Sequence, residues 1–115
     1  MDTLTMKDFI VIAKNGSKEP IRLDYNTLRK AVMVLRAVNH KLRQSIVELL
    51  EEQKQMTVTE IYVKLRLEQS VASQHLAILR RVGVVATKRE GKFIYYSVNK
   101  ERMGEISQLI EDITR

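Results

Sequence analysis

The chain has 115 residues, 44% of them apolar and 30% charged, which bounds it to a single domain with room for one modest core. With no cysteine it has no disulfide framework, thiol switch or thiolate metal site, and no apolar run approaches the roughly 20 residues of a membrane span. No secretory leader is recognisable, so the chain is expected to stay in the compartment where it is made.

The formal charge is +6, and it is unevenly placed. From Lys64 to Lys92 seven basic residues face two acids, whereas the first 63 residues carry ten basic and eight acidic groups. A local basic excess of this kind is the electrostatic footprint of a polyanion partner; a merely soluble basic protein is the plainer alternative.

In chain order, Phe9 to Leu23 has the pattern of a β-hairpin. Asn15-Gly16 tolerates the positive φ of a tight hairpin turn, and Pro20 confines the second arm to a short or edge strand. A loosely ordered arm is the competing reading. A helix follows, with Asp24 or Asn26 as its N-cap and Leu28, Ala31, Val32 and Leu35 as its stripe. Met33 and Val34 widen that stripe beyond the needs of one small core, which points to burial on a second side, against another subunit. Asn39 is placed to cap the next helix, His40 to Gln53, with Leu42, Ile46, Leu49 and Leu50 facing inward.

Thr57 with Glu60 fits a capping box opening a short helix anchored by Ile61 and Leu65. Glu68 to Leu79 then repeats Val71, Ala72, Leu76 and Leu79 at helical spacing, so those residues bury one face. Gln69, Ser70, Ser73, Gln74 and His75 are left toward the other side, with Arg80 and Arg81 following. Small hydrogen-bonding side chains suit base edges and arginines suit phosphates; a solvated amphipathic helix is the alternative. Gly83 is expected as a left-handed C-terminal cap.

Val84–Arg89 and Lys92–Val98 are expected as strands joined at Glu90-Gly91, with Ile94, Tyr96 and Val98 on the core face and Phe93, Tyr95 and Ser97 on the other. Lys88, Arg89 and Lys92 crowd the tip, within reach of a phosphate or a minor groove, or simply solvated. Asn99 caps a last helix running to Ile113. In it Met103, Ile106, Ile110 and Ile113, with Leu109 beside them, form a heptad-type seam that either closes the core or pairs with its twin.

Chemistry of other kinds finds little footing. There is no glycine-rich phosphate loop, nucleophile elbow or supported carboxylate pair, so an enzyme is not expected. His40 reads as a capping or surface residue. With His75 distant from it in sequence and no cysteine partners, a zinc pair is not expected either.

Three helices leading into a hairpin, the last two forming a helix-turn-helix, describe a winged helix. Residues Leu35 to Val98 resemble the ArsR/SmtB family of small dimeric bacterial repressors. The resemblance rests on Leu35-Arg36-Ala37-Val38 leading to Arg43 and Ile46-Val47, and on Leu65-x-Leu67-x-Gln69-Ser70-x-x-Ser73-x-His75-Leu76-x-x-Leu79-Arg80-x-x-Gly83. Arg89-Glu90-Gly91-Lys92 with Tyr95-Tyr96 completes it. It implies that Gln69, Ser70, Ser73 and His75 belong to the recognition helix and Arg89 and Lys92 to the wing, and that the first and last helices make a homodimer. The chain also departs from the family. The cysteine-bearing metal motif falls on Thr57-Val58-Thr59-Glu60, and the last helix, with Glu105, Glu111 and Asp112, has no histidine. Neither usual metal site is therefore expected. The family's Asp-Pro-Thr-Arg opening is altered to Asn39-His40-Lys41-Leu42-Arg43.

The expected fold is mainly α with a small β-hairpin wing: a winged helix-turn-helix over 24–115, preceded by an extension over 1–23 that forms an extra hairpin. The expected function is a sequence-specific regulator of transcription, a repressor. It would bind double-stranded DNA as a homodimer on an inverted repeat, in the bacterial cytoplasm and on the nucleoid when bound. DNA contacts are expected from Gln69, Ser70, Ser73, Gln74, His75, Arg80, Lys88, Arg89 and Lys92. Dimer contacts are expected from Leu28, Val32, Met33 and Leu35 on the first helix and Met103, Ile106, Leu109, Ile110 and Ile113 on the last. No cofactor or membrane contact is expected, and no effector is legible. The alternative is a winged helix serving protein interaction or non-specific DNA compaction.

Overall fold

The computed structural model describes residues 9–12 and 21–115. They belong to two compact units, Met1–Val34 and Leu35–Arg115.

In the first unit β1 (Phe9–Ile12) pairs antiparallel with β2 (Ile21–Asp24), from Phe9 opposite Asp24 to Ile12 opposite Ile21. The expected Asn15-Gly16 turn and Pro20 lie outside the described residues. Helix α1 (Tyr25–Val38) begins in this unit, and of the two candidate caps Asp24 is the one used. Its Oδ1 accepts from the Asn26 N–H at 3.1 Å and its Oδ2 from the Thr27 hydroxyl at 2.7 Å. Leu28, Val32 and Met33 remain exposed in the single chain.

The second unit contains the end of α1, then α2 (Lys41–Gln53), β3 (Met56–Thr57), α3 (Val58–Leu65), α4 (Gln69–Arg81), β4 (Val85–Glu90), β5 (Phe93–Val98) and α5 (Lys100–Thr114). Its core is built by the inward stripes of the helices. Ile46 and Leu50 of α2, Ile61 of α3, Leu76 and Leu79 of α4, and Val84 are completely buried. Those on the helices are the positions the helical periodicity selects, and burying such side chains contributes roughly 1.5–3 kcal/mol each.

Helix ends follow local chemistry. Thr57 and Glu60 form the expected reciprocal capping box: the Glu60 N–H donates to Thr57 Oγ1 at 3.2 Å, and the Thr57 N–H to Glu60 Oε1 at 2.8 Å. Asn99 caps α5 by accepting from the Arg102 N–H. At the end of α4, Gly83 has φ +80°, with its N–H on Arg80 O and the Val84 N–H on Leu79 O, the paired bonds of a left-handed helix stop. The cap of α2 is His40 rather than Asn39, its Nδ1 accepting from the Leu42 N–H at 3.2 Å.

The sheet has three strands in the order β3-β5-β4, where sequence reading expects a two-stranded hairpin. β3 is two residues long, pairing Met56 with Tyr96 and Thr57 with Tyr95. In the hairpin, Glu90 pairs with Phe93, so the turn residues are Gly91 and Lys92. Gly91 has φ +63° and Lys92 does not share a positive φ, as in the type II′ turns that join twisted strands. Ile94 departs from its expected core position. It pairs with Arg89 next to the turn and is 45% exposed, and Tyr96 and Val98, expected as core with it, are half-buried just as Tyr95 and Ser97 of the other face are.

Candidate nucleic-acid interface

Helix α4 is positioned by Ala72, Leu76 and Leu79, all buried, with Val71 and Ile78 half-buried beside them. The opposite side is what this burial leaves outward: Gln69, Ser70, Ser73, Gln74, Ala77, Arg80 and Arg81 are all exposed. Ser70, Ser73, Gln74 and Ala77 follow helical spacing, so they form one continuous strip of small, uncharged side chains. Ala77 is missing from the set read off the sequence, since an alanine carries no polar signal. Its methyl group suits the methyl of thymine. Glu68, the N-cap of α4, makes no side-chain capping bond, which leaves first-turn N–H groups open to an incoming acceptor.

His75 is placed differently from its neighbours. The ring is half-buried, and Nδ1 lies 3.2 Å from Arg43 Nη1. A guanidinium can only donate, so the imidazole accepts at Nδ1 and is neutral with its proton on Nε2. The His40 ring stands 4.9 Å away, centroid to centroid. Partial burial pushes the His75 pKa down from its ordinary value, and the nearby His40 and Arg43 push it the same way. Arg43 in turn donates through Nε to Ala37 O at 2.6 Å and through Nη2 to Arg36 O at 3.4 Å. Gln44 Nε2 donates to Val38 O at 2.8 Å, so side chains of α2 satisfy the open carbonyls at the end of α1.

The wing is cationic and aromatic at once. Lys88 Nζ pairs with Glu90 Oε2 at 3.2 Å, both well exposed. Arg89 Nε donates to Gly91 O at 3.2 Å, inside its own turn. Lys92 Nζ stands 5.5 Å from the centroid of the Phe93 ring, which is itself 6.4 Å from Tyr95. The geometry leaves Arg80, Arg89 and Lys92 at the surface without a carboxylate partner among the described residues.

Of the expected dimer contacts, Ile106 is buried within its own unit, at 5% exposure, and so helps close the core. Leu109, Ile110 and Ile113 of α5 stay exposed, as do Leu28, Val32 and Met33 of α1. Leu35 and Met103 are half-buried. Between α2 and α5 lies an open groove of about 730 Å³, floored by Val47, Met103, Ile106 and Ile110 and edged by Glu48 and Glu111. Among the described residues no three His, Cys, Asp or Glu side chains converge as a metal site, and no helix is long and apolar enough to cross a membrane.

A short helix and a second helix joined by a tight turn, followed by a hairpin, define a winged helix-turn-helix, a fold built to present one helix and one β-tip to DNA. Comparison with known proteins agrees. Residues 40–87 match the bacterial regulatory protein, arsR family. The transcriptional repressor PagR of Bacillus anthracis is 35% identical over 92 residues, 80% of this chain and 92% of its own. The transcriptional activator HlyU of Vibrio cholerae serotype O1 is 35% identical over 81 residues, 70% of this chain and 74% of its own. The crystal structure of PagR is similar with a TM-score of 0.60 at 37% identity, covering 75% of this chain and 99% of that one. The chain belongs to the arsR family of bacterial regulatory proteins: it is a DNA-binding regulator of transcription, not an enzyme.

Proposed function

We propose that this regulator acts as a homodimeric repressor on an inverted repeat in double-stranded DNA. The observation that carries the reading is the exposed strip Ser70-Ser73-Gln74-Ala77, uncharged and backed by the buried Ala72, Leu76 and Leu79. Such a strip can enter a major groove and exchange hydrogen bonds with base edges without the desolvation penalty of a charge. Gln69 would share in base contacts. Arg80, Lys88, Arg89 and Lys92 would bind phosphate or the minor groove, fixing register rather than sequence. His75, engaged with Arg43, would support the helix rather than read bases.

The exposed apolar residues of α1 and α5 support pairing of two copies. Isolated exposed leucines are ordinary, but two helices each keeping a row of them uncovered is the composition of an unpaired interface. Two-fold pairing sets two recognition helices on half-sites about one helical turn apart. In this division of labour residues 24–115 bind DNA and dimerise, and residues 1–23 precede them as an extension. The name of PagR supports repression, and the protein would act in the cytoplasm, on the nucleoid when bound.

The test is selection of bound genomic fragments followed by footprinting. An inverted repeat protected on both halves is expected, with the double variant Ile110→Glu, Ile113→Glu sedimenting as a monomer and losing two-half-site protection. Fragments without a consensus would favour compaction, and absence of binding at low salt would favour a protein-interaction role.

A further inference from the structure

The contact between Arg43 and His75 links the recognition helix to the end of α1 through one guanidinium. That guanidinium has three acceptors: Ala37 O, Arg36 O and His75 Nδ1. The first two are carbonyls at the end of α1, and the third belongs to α4, 32 positions further along the chain. We propose that Arg43 and His75 are positioning residues that hold α4 in its DNA-reading orientation, and that the bond between them opens when His75 takes up a proton, so that DNA affinity falls on mild acidification. This rests on the DNA-binding reading above and adds a control to it.

The chemistry requires the bond to be proton-sensitive. Nδ1 accepts from Arg43 only while it carries no proton. Once protonated it becomes a second donor facing a permanent cation 3.2 Å away, and the attraction turns into repulsion. The groups facing His75 offer no compensation. The charged and titratable groups that act on it are Arg43 from α2 and His40 from the N-cap of α2, and neither is an acid.

The chain has two histidines and no cysteine, and both histidines lie in this cluster. No other side chain type ordinarily titrates between about pH 5.5 and 7.5, where only the α-amino group is a further candidate. The sign is also diagnostic. Protonation adds positive charge, and unspecific attraction to DNA would therefore strengthen as pH falls. The latch predicts the opposite.

The experiment measures affinity for the tightest-binding selected genomic fragment at about pH 7.5 and about pH 5.5, at constant ionic strength, with circular dichroism confirming a folded chain at each pH. The wild type is expected to bind more weakly at the lower pH, because protonation of His75 removes the acceptor that Arg43 uses. His75→Asn places a carbonyl oxygen near the position of Nδ1 and cannot titrate, so its ratio of affinities between the two conditions should be close to one. Arg43→Gln should weaken binding at the higher pH with an unchanged salt slope. A side chain in contact with phosphate would instead reduce that slope by about one. Wild-type affinity that holds or rises on acidification overturns the latch, as does a fall that persists in His75→Asn or a reduced slope in Arg43→Gln. No binding at either pH would overturn the DNA reading itself.

Discussion

Met56 pairs with Tyr96, and through that short ladder the residues that open α3 are fastened to the wing. The next pair, Thr57 with Tyr95, involves the very residue that caps α3. The helix-turn-helix and the β-tip are thus tied at the point where α3 begins, and small changes there should be felt by both.

Thr57 is the most exacting position in this joint. Thr57→Ala removes the hydroxyl that accepts from the Glu60 N–H and should cost about 1 kcal/mol of stability, whereas Thr57→Ser should recover most of it. Urea unfolding of the three proteins checks this, and equal stability of the alanine and serine variants would contradict it.

Two glycines should respond to alanine with opposite signs. Gly83 sits at φ +80° in the stop after α4, and an added Cβ would meet Arg102 Nε at 3.4 Å. Gly83→Ala should destabilise by about 1 kcal/mol or more. Gly104 lies within α5 with nothing near its would-be Cβ, so Gly104→Ala should stabilise by up to about 1 kcal/mol through helix propensity. Thermal melts of the pair check both signs at once.

Arg89 and Ser70 should separate the two kinds of DNA contact. Arg89→Ala should weaken binding to all sequences alike and lower the salt slope by about one. Ser70→Ala should leave the slope unchanged and relax base preference at one position in each half-site. Binding measured across a salt series on selected and scrambled fragments distinguishes them. An unchanged slope in Arg89→Ala would remove it from the interface.

Stability itself should depend on pH through His75. The folded chain holds its pKa below the ordinary 6.5, so the unfolded chain binds the proton more tightly. Stability is therefore complete above that ordinary value and declines as pH falls through it toward the depressed folded-state value. The melting temperature should drop across that window in the wild type. In His75→Asn the drop should shrink, since the depressed site is gone; an identical drop in both proteins would assign the effect elsewhere.

What the residues alone determined is nearly everything encoded within a few positions. The inward stripes of α2, α3 and α4, the reciprocal Thr57–Glu60 cap, the Asn99 cap and the stop at Gly83 all follow from spacing and short-range hydrogen bonding, which neighbours in sequence decide. The polar members of the outward strip of α4, Ser70, Ser73 and Gln74, follow for the same reason, being the complement of its buried stripe. Tertiary structure decided what depends on partners far along the chain. A two-residue strand such as β3 has too little sequence for any pattern, and only the arrival of β5 makes it one. His75 looks like one more polar residue of the recognition helix until packing brings Arg43 against it. Ile94 fits the alternation of a core strand yet is exposed, since burial depends on what stands opposite rather than on the side chain's own hydrophobicity.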